Sequence, residues 1–325
     1  MITKLSIANF KSIRQLDIDC KKVNVFIGEP NTGKSNILEA LGLLSWCAQP
    51  GQTLLSDYVR FQSLPNLFYD QLLDQSVEVK ISTTTISPTG LTVAFAGRSY
   101  DFCDLETRKA FRSTDEGGHY DGSMAFGQRD IKFFRFRELA KYDDNEPGSL
   151  KPPNGRNLFS VVFSSRCLRE TMEDFFRKYE LKLLMRQNER SFEVVKQADG
   201  PLIAYPYALA SDTLRRIIFY TVAMASNTDS VLVFEEPESN AFPYYTKYLG
   251  ERIARDETNQ FFIATHNPYL LSAIVEKSRT EDVQVIVTYF KDYQTRVKTL
   301  TPNQLAELME ADPFFNLDQF IEEGQ

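Results

Sequence analysis

The stretch Gly28-Glu29-Pro30-Asn31-Thr32-Gly33-Lys34-Ser35 has the spacing G-x-x-x-x-G-K-S. It follows Val23–Ile27, a short apolar run rich in β-branched residues, which predicts a buried parallel strand. It precedes residues 36–44, whose apolar positions suit a helix. A strand, a glycine loop and a helix in this order predict a phosphate site, because the loop N–H groups and the helix N-terminus both point at bound phosphate.

The loop residues have distinct predicted roles. Lys34 can reach the β- and γ-phosphates, and the Ser35 hydroxyl can ligate Mg²⁺. The surrounding positions are predicted to contact the nucleotide too: Glu29, Pro30, Asn31, Thr32, Gly33 and Asn36. The alternative is an ordinary turn that matches the spacing by chance, but the flanking strand and helix favour the phosphate site. The sequence therefore predicts a nucleotide-binding protein.

Composition limits the class of protein. The chain has 325 residues, of which 42% are hydrophobic and 25% charged, as in a globular protein with one large core or two domains. Its net charge of −7 gives no overall basic field for nucleic acid, although a local basic stripe stays open. The four cysteines lie far apart without a C-x-x-C pair, which argues against a zinc site or a disulfide framework. Without a targeting signal or a membrane-length apolar run, we expect a cytoplasmic protein.

A second motif carries acidic residues. Residues 230–238 read Ser-Val-Leu-Val-Phe-Glu-Glu-Pro-Glu, which predicts a buried strand with carboxylates at its end. In open α/β sheets, ligands lie beyond the carboxyl ends of the strands, so these acids are predicted to face the phosphates. We assign Glu235 to Mg²⁺, held through water, and Glu236 to the attacking water as the catalytic base. The alternative is a strand that runs into a solvated acidic loop.

A third motif repeats this architecture. Residues 261–268 read Phe-Phe-Ile-Ala-Thr-His-Asn-Pro, an apolar strand followed by polar residues at its end. A lone histidine is usually a satisfied core or surface group. His266, however, ends a strand next to the predicted acids, where it can bond the γ-phosphate and report its presence. We therefore predict that Lys34, Glu236 and His266 form the catalytic set.

The order of the chain suggests an ATPase core with an insertion. Residues 1–75 hold the first strands and the glycine loop, and residues 204–300 hold the acidic and histidine motifs. Between them, strand-like runs at 77–81, 91–95 and 131–136 predict an antiparallel sheet, followed by one helix over 158–179 and strands over 181–203. We therefore assign residues 76–203 to an inserted lid and residues 301–325 to a helical tail. Four lid residues could approach the nucleotide, although a solvated or structural role is the better expectation for each: Gln128, Arg135, Arg137 and Glu138.

The motifs together resemble the ABC-type P-loop ATPases, in the branch that contains RecF, the chromosome-maintenance (SMC) proteins and the OLD family. The resemblance covers residues 4–271 and rests on Asn9-Phe10-Lys11-Ser12, the glycine loop, Glu-Glu-Pro-Glu and Thr-His-Asn-Pro. It implies an α/β P-loop NTPase head with a mixed β-sheet core and an inserted lid of antiparallel strands and helix. It also implies that Lys11 and Ser12 line the ribose and phosphates, with a solvated turn as the alternative.

The same resemblance implies a homodimer that sandwiches two ATP molecules between one protomer's glycine loop and the other's signature helix. The candidate signature is residues 207–216, with Ser211 as the nucleotide contact. The family usually has a glycine just after this serine, and here Asp212 stands in its place. Glycine permits close backbone approach, and an acid repels phosphate unless it points away.

The resemblance implies an ATPase that uses Mg²⁺ and serves DNA repair, DNA maintenance or anti-phage defence with a partner effector. The OLD nucleases have a further nuclease domain, and we expect none here because the chain stops early. A second hypothesis is a nucleotide-dependent binding module with little or no hydrolysis, which the unusual signature favours. A P-loop kinase fits poorly, because it does not account for the paired glutamates together with the strand-terminal histidine.

Overall fold

The computed structural model describes residues 1–49, 53–84, 88–114, 120–121, 130–139, 141–197, 200–310, 314–315 and 317–322. Its strands are β1 (Ile2–Phe10), β2 (Ile13–Asp19), β3 (Val23–Ile27), β4 (Val77–Thr83), β5 (Thr89–Phe95), β6 (Tyr100–Asp104), β7 (Ala110–Thr114), β8 (Tyr120–Asp121), β9 (Ile131–Phe134), β10 (Lys182–Arg186), β11 (Ser191–Gln197), β12 (Leu202–Pro206), β13 (Val231–Glu235), β14 (Gln260–Ala264), β15 (Val283–Lys291) and β16 (Gln294–Thr299). Its α-helices are α1 (Lys34–Ala48), α2 (Leu158–Ser164), α3 (Arg166–Arg177), α4 (Asp212–Ser226), α5 (Pro243–Arg255), α6 (Pro268–Lys277), α7 (Pro302–Glu310) and α8 (Leu317–Glu322).

A mostly parallel sheet organises the nucleotide end of the molecule. Its strand order is β16-β15-β3-β14-β13-β9, and all neighbours are parallel except the β15–β16 hairpin. Every residue of β3 and β14 is buried, as expected for strands covered on both faces. The predicted α/β P-loop architecture is thus confirmed, with β3 leading into the glycine loop and α1.

One strand differs from its prediction. The run at 131–136 was assigned to an antiparallel sheet, but β9 lies parallel to β13 at the edge of the core sheet. Its neighbouring residues Phe133 and Phe134 point to opposite faces, and both are fully buried in separate hydrophobic cores. A strand with two apolar faces suits a sheet covered on both sides, and the antiparallel assignment was wrong for this reason.

The other antiparallel strands continue the N-terminal hairpin. The order β2-β1-β4-β5-β6-β7-β8 joins β4 directly to β1, with Leu5 in register with Ile81. Strands β10, β11 and β12 form a separate, smaller antiparallel sheet. Strands from the predicted insertion therefore occur in three sheets, and the boundaries at 76 and 203 stay a prediction.

The predicted helix over 158–179 is interrupted. Ser165 has an extended backbone, which ends α2, and its hydroxyl accepts a hydrogen bond from the Leu168 N–H at 3.3 Å. A serine in this position caps the helix that follows, so α3 begins at Arg166. Leu168, Met172 and Phe176 lie on one face of α3 and are buried in the core.

Helix α1 is covered on both sides. It lies between the parallel sheet and the antiparallel sheet, and one hydrophobic core joins its residues to both. A second core on the opposite face of the parallel sheet includes residues of α4, α5 and α6. Within the described ranges, no helix is both long and apolar enough to cross a membrane.

Helices α5 and α6 approach closely at Gly250, and this contact provides a test of the packing. A Cβ added at Gly250 would lie 2.7 Å from the Ala273 Cβ and 3.1 Å from the Leu270 carbonyl oxygen. We expect Gly250→Val to lower the free energy of unfolding by about 2 kcal/mol, because the overpacked helices must separate. Urea denaturation measures this change. Lys247→Val, at an exposed position of the same helix, is the control for β-branching and should cost well under half as much; equal losses would contradict the packing argument.

Candidate nucleotide-binding site

The three sequence motifs meet at one edge of the parallel sheet. Glu235 is in register with Ala264, and Ala264 is in register with Phe26, so β13, β14 and β3 end side by side. The segments that leave these ends carry the acids, His266 and the glycine loop, respectively. Carboxyl ends of parallel strands form the ligand-binding edge in such sheets. The structure thus brings together the residues that the sequence analysis expected to meet.

The glycine loop has no room for side chains at its two glycines. Gly28 has φ +148°, and a Cβ there would lie 2.3 Å from the Thr288 carbonyl oxygen. Gly33 has φ +98°, and its Cβ would lie 2.0 Å from Thr295 Oγ1. The β15–β16 hairpin therefore supports the loop from behind, and both positions require glycine for their backbone angle and for space.

Lys34 is held inside the loop. Its Nζ donates hydrogen bonds to the carbonyl oxygens of Gly28 and Glu29, each at 2.8 Å. Burial lowers the pKa of Lys34 to about 8, while the carboxylates of Glu236 and Glu29 act in the opposite direction. The ammonium group is thus positioned where a phosphate would replace the carbonyls as its partner.

The two predicted metal ligands lie near each other. Ser35 is at the start of α1 and Glu235 is at the end of β13, and the Ser35 hydroxyl is close enough to help lower the pKa of the Glu235 carboxylate. Both offer oxygen, the ligand type that Mg²⁺ prefers, so this pair fits the metal. Within the described part of the chain, no three His, Cys, Asp or Glu side chains form a metal cluster. Mg²⁺ at this pair would therefore complete its coordination with water and phosphate, as it commonly does.

Glu236 and His266 form the next layer of the site. The distance between Glu236 Oε1 and His266 Nε2 is 3.3 Å, and Ser239 Oγ donates to Glu236 Oε2 at 3.2 Å. Burial, together with the charge of Lys34, holds the pKa of His266 below its usual value, although Glu236 opposes this shift. His266 is therefore neutral at pH 7. Glu236 has φ +42°, a left-handed conformation that is uncommon for a non-glycine residue.

The third acid of the acidic motif supports these loops, a role that the sequence analysis did not assign. Glu238 is 4% exposed, and its Oε1 accepts a hydrogen bond from the Thr265 hydroxyl. Thr265 Oγ1 in turn accepts from the Asn267 N–H at 2.9 Å. Glu238 thereby ties the loop after β13 to the loop after β14. Burial raises its pKa to about 7, and the nearby Glu236 charge acts in the same direction.

A group of charged residues surrounds Glu235. Arg135 and Arg60 both pair with it, and both also reach Glu39, which is fully buried in α1. Lys11 completes this group through its own ion pair with Glu39. Burial tends to raise the pKa of Glu235, but Arg135, the Ser35 hydroxyl and Arg60 together hold it below its usual range.

The sequence analysis singled out neither Glu39 nor Arg60. Glu39 stands four residues after Ser35, so helical spacing placed it on the same face of α1. That signal could have identified Glu39. Arg60 lies in a loop after α1, where no periodic pattern indicates what it contacts.

Lys11 and Ser12 have internal partners in the structure. Besides its pair with Glu39, Lys11 donates to the Arg60 carbonyl oxygen at 2.6 Å. The Ser12 hydroxyl contacts Thr295 Oγ1 at 2.6 Å and accepts from the Asn36 side-chain amide at 2.7 Å. Ribose or phosphate contacts by Lys11 and Ser12 remain a prediction.

The remaining loop residues divide by exposure. Glu29, Pro30 and Asn31 are exposed at the tip of the loop. Thr32 is buried, and its hydroxyl donates to the Glu29 carbonyl oxygen and contacts Thr288 Oγ1 at 2.7 Å. Asn31 has φ +62°, a left-handed conformation that asparagine adopts more readily than most residues.

The candidate signature segment begins α4. Ser211 is the N-cap residue of this helix, but its side chain makes no capping hydrogen bond. Asp212 lies within 3.6 Å of Arg215 and 3.5 Å of Arg216, so its charge is paired along its own helix. Ser211 also lines a groove beside β12 with Tyr205 and Leu209. Among the described contacts, none joins Ser211 to the glycine loop of the same chain.

The predicted lid residues have separate positions. Gln128 lies outside the described residues. Arg137 pairs with Asp57 at 3.5 Å, and Glu138 pairs with Arg215 at 2.7 Å. Only Arg135, among the described lid candidates, contacts a predicted site residue.

Comparisons with known proteins agree with this geometry. A family model described as "AAA ATPase domain" matches residues 1–94. The "DNA replication and repair protein RecF" of Bacteroides thetaiotaomicron is 33% identical over 63 residues, and that of Bacteroides fragilis is 32% identical. The matched region covers 19% of this chain and only 17% of each RecF.

Solved structures extend the similarity of fold across the chain. An SMC head bound to the C-terminal winged-helix domain of ScpA superposes with a TM-score of 0.59 at 14% identity, covering 93% of this chain and 98% of that one. The Smc head with an extended coiled coil, bound to the ScpA C-terminal domain from Pyrococcus furiosus, gives 0.55 at 12%, covering 95% and 98%. At these identities the likeness concerns the fold.

Residues 1–94 are thus similar to an AAA ATPase domain, and 63 residues of the chain are similar to part of RecF. The chain has the fold of an SMC-type ATPase head.

Glu238 makes the stability of this site dependent on pH. Because its pKa in the folded protein, about 7, exceeds the unfolded value of about 4.3, the folded state retains the proton as pH rises. The free energy of unfolding should therefore fall between pH 4.5 and 7 and level off above 7. Glu238→Gln removes this titration, so we expect it to be more stable than wild type at pH 8, by up to roughly 3 kcal/mol, and similar to it at pH 4.5.

Urea unfolding of both proteins at pH 4.5, 6 and 8 measures this difference. Glu236→Gln keeps the Glu238 carboxyl, so its free energy of unfolding should still fall between pH 4.5 and 7, by a smaller amount because the Glu236 charge no longer adds to the shift. A difference between wild type and Glu238→Gln that stays constant with pH would contradict the argument.

Proposed function

We propose that this protein binds and hydrolyses ATP with Mg²⁺, as a homodimer that closes on nucleotide. The observation that supports this most strongly is the common edge at which β3, β14 and β13 end, because it brings Lys34 and Ser35 of the glycine loop to the same place as Glu235 and its neighbouring acid. Glu236 and His266 lie in the adjoining loops, 3.3 Å apart. Metal ligands, base and histidine are thus arranged around the space in front of Lys34.

Each residue has a defined task in this proposal. Lys34 exchanges its two loop carbonyls for phosphate oxygens, and the glycine-loop N–H groups bind the same oxygens. Mg²⁺, held by Ser35 and Glu235, would neutralise charge on the phosphates. Glu236 accepts a proton from the water that attacks the γ-phosphorus, as the bond to the ADP oxygen breaks. Neutral His266 can donate a hydrogen bond to the γ-phosphate.

The dimer is proposed because the signature segment lies away from the glycine loop of its own chain. Ser211 leaves the first N–H groups of α4 without a side-chain cap, and such groups bind phosphate well. The paired charge of Asp212 removes the repulsion that the sequence suggested. Exposed aromatic residues also follow the acidic and histidine motifs, namely Phe242, Tyr244 and Tyr269, and exposed aromatic residues are common in interfaces.

The cellular role is the less direct part of the proposal. RecF acts in DNA replication and repair by its name, and the SMC heads were solved with ScpA domains bound. By analogy, we propose a cytoplasmic role in DNA maintenance or anti-phage defence, the latter by the OLD resemblance, through a partner effector. The second candidate is a nucleotide-dependent binding module with little hydrolysis, which is favoured by the missing glycine at the signature.

Glu236→Gln tests the ATPase. The amide cannot accept the proton from water, so we expect the variant to bind ATP as wild type does and to lose at least about 100-fold in turnover. Light scattering with and without Mg–ATP, together with phosphate release, should show an ATP-stabilised dimer of the variant and turnover by wild type.

Lys34→Ala is the control that should abolish nucleotide binding. A wild type that neither changes mass nor releases phosphate would refute the ATP-dimer enzyme. A wild type that dimerises on ATP without releasing phosphate would instead support the binding module.

A further inference from the structure

Arg135 is hydrogen-bonded to Glu235, the carboxylate that we propose as a metal ligand. It is the first residue after β9, the strand beside β13, so its side chain meets Glu235 at the ends of two neighbouring strands. Its Nη2 lies 2.6 Å from Glu235 Oε2, and its Nε lies 3.2 Å from the same oxygen. The other oxygen, Oε1, accepts from Arg60 Nη2 at 3.1 Å. Both oxygens of the carboxylate therefore have guanidinium partners.

The arginines have a second anchor. Glu39, fully buried, accepts from Arg60 Nε at 2.7 Å and lies 3.4 Å from Arg135 Nη2. With Lys11, this group contains three positive and two negative side chains, a net charge of +1. If Glu235 were to release Arg135, Glu39 would still hold the arginine near the site.

A divalent cation competes directly with this arrangement. Free Mg²⁺ at Glu235 would have to approach a group that already carries a net positive charge. It would also have to displace Arg135 from the Glu235 Oε2 atom. Two positive groups that lie so close together repel each other strongly where water is partly excluded. A bound nucleotide would favour Mg²⁺ over Arg135 at Glu235. Its phosphates carry the metal, and their negative charge offers the displaced guanidinium a new partner.

We propose that Arg135 is a positioning residue that closes the metal site to free divalent cations and moves from Glu235 to the phosphates when Mg–nucleotide binds. This inference rests on the proposed function, since it concerns the same site. Arg135 is better suited to the move than Arg60, because it holds Glu235 at the shorter distance and its side chain is only 26% exposed, so solvent screens it less. The competing explanation is a structural ion pair that fastens β9 to β13.

The first experiment measures the metal without nucleotide. Electron paramagnetic resonance of free Mn²⁺ gives the Mn²⁺ affinity of wild type, Arg135→Gln, Arg135→Lys and Arg137→Gln. Arg137 is the matched control, because it lies two residues away, is 69% exposed and pairs only with Asp57 among the described residues. We expect Arg135→Gln to bind Mn²⁺ about 10-fold more tightly than wild type, since one adjacent positive charge is removed. Arg137→Gln should match wild type, and Arg135→Lys should stay near it.

The second experiment measures nucleotide without metal. A fluorescent ATP analogue in EDTA reports the phosphate contact, and we expect Arg135→Gln to bind it about 10-fold more weakly than wild type or Arg137→Gln. Circular dichroism establishes that each variant is folded.

The outcomes separate the proposals. Unchanged Mn²⁺ affinity in folded Arg135→Gln overturns the inference and leaves a structural ion pair. Tighter Mn²⁺ with unchanged nucleotide affinity in EDTA overturns the transfer to phosphate. If wild type binds no nucleotide at all, the proposed function fails, and this result is independent of the Mn²⁺ titration.

Discussion

The parallel arrangement of β3, β14, β13 and β9 is the constraint on which this molecule depends. Parallel strands end at a common edge, so residues that are more than 200 positions apart in the chain leave the sheet within hydrogen-bonding distance of one another. The proximity of Ser35 to Glu235 follows directly from it. The antiparallel sheet and the flanking helices bury the faces of this sheet and keep the strand ends in register.

The balance of charge at that edge is the second theme of the structure. A fully buried carboxylate such as Glu39 is costly unless cations pair with it, and Lys11, Arg60 and Arg135 all do so. The same cations hold Glu235 ionised. Both carboxylates are therefore paired with cations of the same chain, and a ligand that binds Glu235 must displace these pairs. Specificity for a metal bound to phosphate, rather than for the metal alone, is a natural consequence of such an arrangement.

The residues proposed to contact nucleotide lie in two parts of the molecule. The glycine loop, the acids and the histidine meet at the edge of the parallel sheet, while the first turn of α4 has no side-chain cap from Ser211. Phe242 and Tyr269 are exposed and follow the acidic and histidine motifs in the chain. The proposed homodimer would bring these two parts together across an interface.

Local sequence determined the parts of this protein that depend on local geometry. The glycine spacing, the apolar strands and the residues that follow them predicted the phosphate loop, the parallel core and the meeting of Glu235, Glu236 and His266. The parallel core and the proximity of these residues were predictable because a buried strand has a recognisable composition and because its carboxyl end has a fixed place in a parallel sheet, whereas phosphate binding at the loop stays a prediction. A capping serine also interrupts a helix locally, although the apolar spacing across Ser165 concealed it.

Tertiary structure decided the partners of long side chains and the sheet to which each short strand belongs. Phe133 and Phe134 are buried in two separate cores, and only these cores show that their strand belongs to the edge of the parallel sheet. Arg60, Arg135 and Glu39 come from a loop, a strand end and a helix, and only the packing of these elements brings their charges together. Glu238 likewise acquires its raised pKa from burial, and its hydrogen bond with Thr265 opposes this shift. Burial and ion pairing join segments that are distant in the chain, and local sequence patterns do not indicate which distant segments come into contact.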